Sequence, residues 1–287
     1  MQRRRLLAAA AAAPLAALGV RGASASSASL PIFDAHMHYS HDAWDVLPPA
    51  AALALLREAG VVRALVSSSG DGDATRGQQR LAAMAPELVL PSLRPYRQRG
   101  DQSNWFRDPS VSGYLEERLA QHRYAALGEF HVFGADVDLP VPRHLVQLAR
   151  THGLVLHSHS DAEAIERQFA QWPQARILWA HAGFERPPRV HEMLARHPQL
   201  WCDLAFRSEH APGGRLDDEW KALFLAYPGR FMVGTDTFTP ERWPYVVEHA
   251  RWCRQWLSQL PAAVAENIAY RNGEALFAGA TRRLQAR

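Results

Sequence analysis

Lysine is almost absent from this sequence. Lys221 is the single lysine, and the other 31 of the 32 basic residues are arginine. A mechanism through a lysine Schiff base, or a metal pair bridged by a carbamylated lysine, would therefore have to use Lys221. That residue lies in DDEWKALF, a segment with helical periodicity. The composition thus removes two kinds of active-site chemistry from every position except 221.

Cysteine is scarce as well, because the chain contains only Cys202 and Cys253. Two cysteines in a chain of this size form no disulfide framework, and we expect both to be buried thiols. No basic tract with interleaved aromatic residues remains beyond the N-terminal region, so nucleic-acid binding has no support. No apolar run there is long enough to span a membrane. The expected partner is a small-molecule substrate, and the oligomeric state stays open.

The first 25 residues differ in composition from the rest of the chain. MQRRRLLAAAAAAPLAALGVRGASA has an arginine cluster, an Ala-rich apolar stretch and a small-residue site at 23–25, which is typical of a removed signal peptide. Residues 3–7, RRRLL, resemble a twin-arginine export signal, with a general secretory signal as the alternative. We expect an exported, periplasmic protein. Retention of an Arg3→Lys, Arg4→Lys chain in the cytoplasm would support the twin-arginine route.

Removal of this leader changes the charge of the protein. The whole chain has a formal charge of +3, but residues 1–25 contain four arginines and no acidic residue. The remaining 28 basic and 29 acidic residues give a formal charge of −1. The basic character of the full sequence therefore comes from the leader and does not indicate an acidic partner.

Short apolar segments alternate with helical segments from residue 31 onward. Eight of them are predicted strands: 31–38, 61–69, 88–96, 124–133, 153–160, 175–183, 200–206 and 230–238. Several segments between them open with Pro or Asp and end in Gly, as helices do. Strands that are apolar on both faces and separated by helices indicate parallel pairing.

Eight such units in about 250 residues predict an α/β protein, a (β/α)8 TIM barrel, as a single domain over residues 26–287. An open doubly wound sheet is the alternative. It would place a Gly-rich phosphate loop after the first strand, where this sequence reads HMHYSHDAW. Residues 261–287 are expected to form a closing pair of helices.

Polar side chains recur at the same end of the predicted strands. His36 and His38 alternate on strand one and would project side by side. The corresponding residues on later strands are Arg94, Glu129, His131, His157, His159, His181, Arg207 and Asp236. Active sites of TIM barrels lie at the carboxyl ends of the strands. Imidazoles and carboxylates are ligands of zinc, iron and manganese, so the pattern predicts a metal site there.

The ordered set of motifs resembles the amidohydrolase superfamily, and within it the amidohydrolase-related (amidohydrolase 2) group of metal-dependent hydrolases and decarboxylases. The resemblance is carried by DAHMH (34–38), His157 in LVLHSHSD, His181 in WAHAGF, Asp236 in FMVGTDTF and the closing segment NIAYRNGEALF (267–277). It extends over residues 32 to 278.

The resemblance implies the metal ligands. They would be His36, His38, His157 and Asp236, with Glu129 as a bridging ligand if two ions are bound. Other members of the group use one ion without a bridge, so we expect one divalent ion rather than two. Zinc is the first choice, and manganese or iron are the alternatives.

The resemblance also implies the roles nearest the substrate. Asp236 would act as general base, and His181 would either polarise the substrate carbonyl or bind a second metal. His159 would face the substrate, although it could replace His157 as the ligand from strand five. Arg94 and Arg207 are suited to a bidentate grip on a substrate carboxylate, with rim ion pairs as the alternative for each.

Three functions fit these residues. The first is hydrolysis of an amide, ester or lactone of a small molecule by metal-activated water. The second is metal-dependent, non-oxidative decarboxylation of a small aromatic or unsaturated acid, which would need Arg94 or Arg207 to hold the carboxylate. The third is an exported metal- or ligand-binding protein without turnover. The ligand set, with an aspartate placed as a base, favours an enzyme.

Overall fold

Eight parallel strands in sequential order form the sheet of this protein. The computed structural model describes residues 30–69 and 77–286. Within them the strands are β1 Ile32–His38, β2 Val61–Ser68, β3 Val89–Leu93, β4 Ala126–His131, β5 Val155–His159, β6 Ile177–Trp179, β7 Leu200–Asp203 and β8 Phe231–Met232. Each strand pairs in parallel with the next. The predicted signal peptide, residues 1–25, lies outside the described residues, so export stays a prediction.

Backbone hydrogen bonds join the first strand to the chain around the last. The Ala35 N–H donates to the Val233 carbonyl at 2.8 Å, and the Asp236 N–H donates to the His36 carbonyl at 2.7 Å. The sheet therefore curves into a nearly closed barrel, which confirms the predicted TIM barrel. The second of these bonds places Asp236 beside the histidine pair of β1.

Helices follow the strands and cover the barrel. They are α1 His41–Trp44, α2 Pro49–Glu58, α3 Gln78–Met84, α4 Ser110–Gln121, α5 Pro140–His152, α6 Ala162–Gln171, α7 Pro187–Arg196, α8 Asp218–Ala226, α9 Tyr245–Leu257, α10 Ala262–Glu266 and α11 Asn272–Gln285. Asp161 caps α6 by accepting a bond from the Ala164 N–H, and α5 ends at Gly153 with φ 63°. Among the described residues no helix has the length and apolarity needed to cross a bilayer.

The closing helix α11 fills one end of the barrel. Phe277 stacks on Phe33 with ring centroids 5.6 Å apart, inside a buried apolar cluster drawn from the strands. Gly273 is needed there because a Cβ at this position would lie 2.4 Å from the Phe33 ring. Since α11 packs at this end, the polar residues at the opposite, carboxyl ends of the strands are left to form the site.

The last three strands end earlier than the sequence pattern predicts. β6, β7 and β8 stop at Trp179, Asp203 and Met232, whereas the predicted strands continue for three to six further residues. The chain leaves the sheet there because the following segments contain residues with positive φ, including Phe206 and Asp236. Apolar composition predicted where these strands begin but not where the site loops begin.

Candidate metal centre

A cavity of about 320 Å³ opens at the carboxyl ends of the strands. Its lining includes seven of the ten polar residues predicted at the strand ends: His38, Arg94, Glu129, His131, His159, His181 and Asp236. His36 lies fully buried beneath them. The structure therefore brings most of the predicted site residues to one place.

Four candidate ligand atoms converge at the base of the cavity. His36 Nε2 and His38 Nε2 are 3.2 Å apart. Glu129 Oε2 lies 3.5 Å from the first and 3.3 Å from the second. Asp236 Oδ1 lies 3.1 Å from His38 Nε2 and 3.9 Å from His36 Nε2. These atoms come from β1, β4 and the segment after β8, so the closed barrel itself assembles them.

Asp203, at the end of β7, fixes the orientation of His36. The His36 Nδ1 lies 3.2 Å from Asp203 Oδ2. Burial opposes ionisation of Asp203, but the neighbouring His36 and His157 outweigh it and hold the pKa of Asp203 well below its ordinary value. An ionised carboxylate only accepts hydrogen bonds, so Nδ1 of His36 carries the proton. In the neutral ring, Nε2 then presents a lone pair to the cavity.

The two carboxylates of the site are ionised despite their burial. Burial raises the pKa of Glu129, but neighbouring imidazoles, His131 and His36 foremost, lower it well below its ordinary value. For Asp236 the same opposing effects lower the pKa to about 2, with His36 and His38 favouring the charged form. Burial also disfavours a proton on His36, yet the surrounding carboxylates raise the pKa of His36 well above 6.5. The cluster therefore attracts positive charge.

The arrangement fits a metal ion. Asp236 Oδ1 is buried and accepts no hydrogen bond, although His38 Nε2 is nearby. A tetrahedral zinc site with ligand distances of ~2.0–2.1 Å has ligand atoms roughly 3.3 Å apart. Five of the six separations among the four atoms, 3.1 to 3.9 Å, bracket that value. Buried imidazole and carboxylate groups that could hold an ion are thus present at the predicted position.

His181 approaches the same carboxylates from the other side. Its Nε2 lies 3.6 Å from Glu129 Oε1 and 3.9 Å from Asp236 Oδ2. Its Nδ1 lies 2.8 Å from the Ala205 carbonyl, which can only accept, so Nδ1 carries the proton. Burial lowers the pKa of His181, but the carboxylate of Glu129 more than compensates and raises it. The ring can therefore accept or donate a proton at Nε2 alone.

A left-handed turn positions His181. His181, Ala182, Gly183 and Phe184 all have φ between 47° and 64°. This conformation costs roughly 1–2 kcal/mol for each residue with a side chain. At Gly183 a side chain is excluded because a Cβ would lie 2.1 Å from the Trp179 ring. The Asp203 carboxylate accepts a 3.0 Å bond from the His181 N–H and so stabilises the start of the turn.

The two histidines of β5 lie at different depths. His157 Nε2 lies 3.0 Å from Asp203 Oδ2, below the cavity, and burial lowers the pKa of His157 to about 4. His159 lines the cavity, with Nδ1 2.7 Å from Glu129 Oε1. The geometry favours His159 over His157 for contact with a ligand in the cavity. Direct ligation by His157 stays a prediction, because it also belongs to a buried group with His36 and Asp203.

The two arginines expected to hold substrate make other contacts. Arg94 directs Nε to the Glu129 carbonyl at 3.0 Å and Nη2 to Glu129 Oε2 at 3.3 Å. Arg207 donates from Nη1 to the His181 carbonyl at 2.8 Å and from Nη2 to the Glu185 carbonyl at 2.6 Å. Arg207 lines a neighbouring cavity rather than the one over the metal centre. Both side chains hold parts of the site, and their contact with substrate stays a prediction.

Sequence reasoning missed Asp203 and Tyr96. The Tyr96 hydroxyl accepts a 2.8 Å bond from the His131 N–H and lies 2.7 Å from His131 Nδ1, so it fixes that ring at the cavity wall. Asp203 is a charged residue at the carboxyl end of an apolar strand, LWCD, which is the same signal that identified the other site residues. It could have been found by applying that criterion to every strand.

An eight-stranded parallel barrel with a histidine–carboxylate cluster at its carboxyl end defines the class of protein. The family model described as amidohydrolase matches residues 5–279. The chain therefore belongs to the amidohydrolase family, as its motifs indicated. A sequence comparison with curated proteins finds no match.

Solved structures of similar fold include three bacterial proteins. An uncharacterised TIM-barrel protein from Bordetella bronchiseptica has 14% identity and a TM-score of 0.59, covering 88% of this chain and 99% of that one. A probable 2-pyrone-4,6-dicarboxylic acid hydrolase from Acinetobacter baumannii has 11% identity and a TM-score of 0.58, covering 86% and 99%. A β-aspartyl dipeptidase from Fervidobacterium islandicum has 14% identity and a TM-score of 0.55, covering 87% and 73%. At these identities the likeness concerns the fold.

Proposed function

We propose that this protein is a metal-dependent hydrolase of an amide, ester or lactone in a small molecule, with one zinc ion per chain. The observation that carries the proposal is the convergence of His36, His38, Glu129 and Asp236 on a point where Asp236 Oδ1 has no hydrogen-bond partner. A divalent ion there would supply Lewis acidity, polarising a substrate carbonyl and making water more acidic.

The chain's own residues would move the protons. Asp236 has one oxygen toward the histidine pair and the other toward His181, so it can take a proton from attacking water and stay within reach of the leaving group. His181 in its charged form can donate from Nε2 to the oxygen or nitrogen that develops charge. The backbone N–H bond to Asp203 holds that ring in place while it does so.

Decarboxylation, the second reaction of the family, receives less support. It requires a guanidinium free to hold the substrate carboxylate. Arg94 is the only arginine that lines the cavity among the described residues, and its Nε and Nη2 are directed at Glu129. Its Nη1 lies 2.9 Å from Ser69 Oγ. Hydrolysis does not require a guanidinium that holds a substrate carboxylate.

The test combines metal content with turnover. Elemental mass spectrometry should find about one zinc per chain after reconstitution, and a panel of esters, lactones and amides should be hydrolysed without release of CO2. Asp236→Asn should lower both zinc affinity and turnover by roughly 100-fold or more, because it removes a charged ligand and the base. Asp136→Asn, at a surface ion pair with Arg107, is the matched control. Full zinc binding and turnover in Asp236→Asn, or CO2 as product, would refute the proposal.

A further inference from the structure

Four exposed phenylalanines lie in the cavity wall or beside the histidines that line the cavity. All eleven phenylalanines lie in the described chain, and only four are exposed: Phe133 (51%), Phe184 (56%), Phe206 (42%) and Phe238 (52%). They follow β4, β6, β7 and β8, at the carboxyl ends of the strands. An exposed apolar cluster at one face of a soluble protein commonly marks a binding surface. We call these four residues the aromatic collar.

The collar is continuous with the candidate catalytic residues. Phe184 stacks on His181, with ring centroids 4.6 Å apart and planes at 19°. Phe133 lies 6.1 Å from His159, and Phe238 lines the cavity itself. If the carbonyl group of a bound molecule reaches His181, the atoms next to that carbonyl therefore lie among these rings.

The backbone holds two of these rings in a conformation that bulky residues avoid. Phe184 has φ 54° and Phe206 has φ 57°. Only a small share of residues other than glycine adopt positive φ, and it is a genuine outlier for bulky ones. The Arg242 guanidinium lies 4.0 Å over the Phe206 ring and donates to the Asp236 carbonyl at 2.6 Å, which links the collar to the metal centre. The rings are thus positioned parts of the site.

We infer that the collar binds an aromatic or similarly planar apolar group carried by the substrate next to its reactive carbonyl. Aromatic rings prefer offset or edge-to-face contact with other rings, and the collar rings already make tilted and edge contacts with His159, His181 and one another beside the cavity. The chemistry that fits is an aryl or arylalkyl ester, amide or lactone. This inference rests on the proposed hydrolase function.

Binding of hydroxamates to the zinc-loaded protein tests the proposed metal-dependent function and the collar assignment separately. Acetohydroxamate probes the metal alone, and 3-phenylpropionohydroxamate adds a phenyl group. Calorimetry should show the phenyl compound binding about 10- to 100-fold more tightly, as expected for burial of one ring. Phe184→Ala and Phe238→Ala should each lose most of that preference and keep the acetohydroxamate Kd. Leu225→Ala, a truncation of an exposed side chain on α8, should change neither value.

Different outcomes would contradict the proposed function and the collar assignment. If acetohydroxamate does not bind, the metal-centred function fails, and the inference fails with it. If both hydroxamates bind equally, or the preference survives in both phenylalanine variants, only the collar assignment fails. If sedimentation shows a wild-type dimer that Phe184→Ala dissociates, the collar is a subunit contact and the assignment to substrate is overturned.

Discussion

Asp203 shows how a single buried carboxylate can serve two parts of the site at once. Its Oδ1 accepts backbone N–H bonds from His181 and Ala205, at 3.0 and 3.1 Å. Its Oδ2 faces the rings of His36 and His157, at 3.2 and 3.0 Å. One oxygen therefore supports the turn that carries His181, and the other sets the tautomer of a candidate metal ligand.

This division of roles makes Asp203→Asn a selective change. The amide oxygen can keep the two backbone bonds, while the amide nitrogen replaces the oxygen that faces the imidazoles. The amide N–H groups would then favour the His36 tautomer with its proton on Nε2, which cannot bind a metal. We expect zinc affinity to fall roughly 10- to 100-fold, measured by competition with a chromophoric chelator. The same change at Asp136 should leave zinc affinity alone, and an unaltered zinc Kd in Asp203→Asn would remove its orienting role.

At the scale of the element, Arg207 stabilises the left-handed turn after β6. The planar guanidinium reaches the His181 carbonyl and the Glu185 carbonyl together, which are the two ends of the turn. It also lies 4.7 Å over the Trp220 ring, so its position is fixed by packing. A lysine ammonium at this position could satisfy one carbonyl but not both.

Arg207→Lys should therefore loosen the turn without removing the metal. A displacement of His181 by about 1 Å is expected to reduce turnover by about 100-fold, while zinc content stays at the wild-type value. Hydrogen exchange at residues 181–185 should become faster, a readout that requires no substrate. Arg167→Lys, at a surface ion pair, is the control. Unchanged exchange and turnover would show that the turn is stable by itself, and loss of zinc would place the role of Arg207 at the metal centre.

Sequence periodicity predicted which segments form strands better than it predicted how deeply each side chain lies in the barrel. The eight strands, their order and the convergence of His36, His38, His181 and Asp236 all follow from alternation and from the rule that strand ends form the site. His157 and His159 share a face of β5, as period two requires, but they occupy successive layers inside the barrel. One contacts Asp203 and the other lines the cavity. Layer depth depends on register with β4, where the pairing shifts between Gly128 and Phe130.

Contacts between strands that are distant in the sequence could not be predicted either, because they also depend on how the strands pair in the barrel. His36 and Asp203 are 167 residues apart, and only closure of the barrel brings them together. The arginines illustrate the converse. Arg94 and Arg207 have the chemistry to hold a carboxylate, yet acceptors within the fold take up their donors. Residue type predicted what these groups could do, and the fold decides what they contact.

At the scale of the whole molecule, buried histidines link folding to pH. His210 is fully buried among aromatic rings, with the Trp256 ring centroid 4.7 Å away, and neither of its ring nitrogens has a hydrogen-bond partner. Burial lowers the pKa of His210 to about 3, against an opposing effect of the Arg207 backbone, and the charge of His249 adds to the lowering. In the unfolded chain its pKa would be near 6.5. Between these values the unfolded state binds the proton and the folded state does not.

Stability should therefore rise with pH between about 3 and 6.5, and the contribution of His210 is complete only above that window. Lowering the pH from 7 to 5 costs about 2 kcal/mol through this residue alone. His210→Leu removes the titrating group, so urea unfolding of this variant should lose about 2 kcal/mol less over that interval than wild type. His191→Leu, at an exposed histidine, should behave as wild type. Release of a bound metal at low pH would affect all three proteins alike, so the difference isolates His210. Parallel pH dependences in wild type and His210→Leu would mean that His210 is protonated in the folded protein.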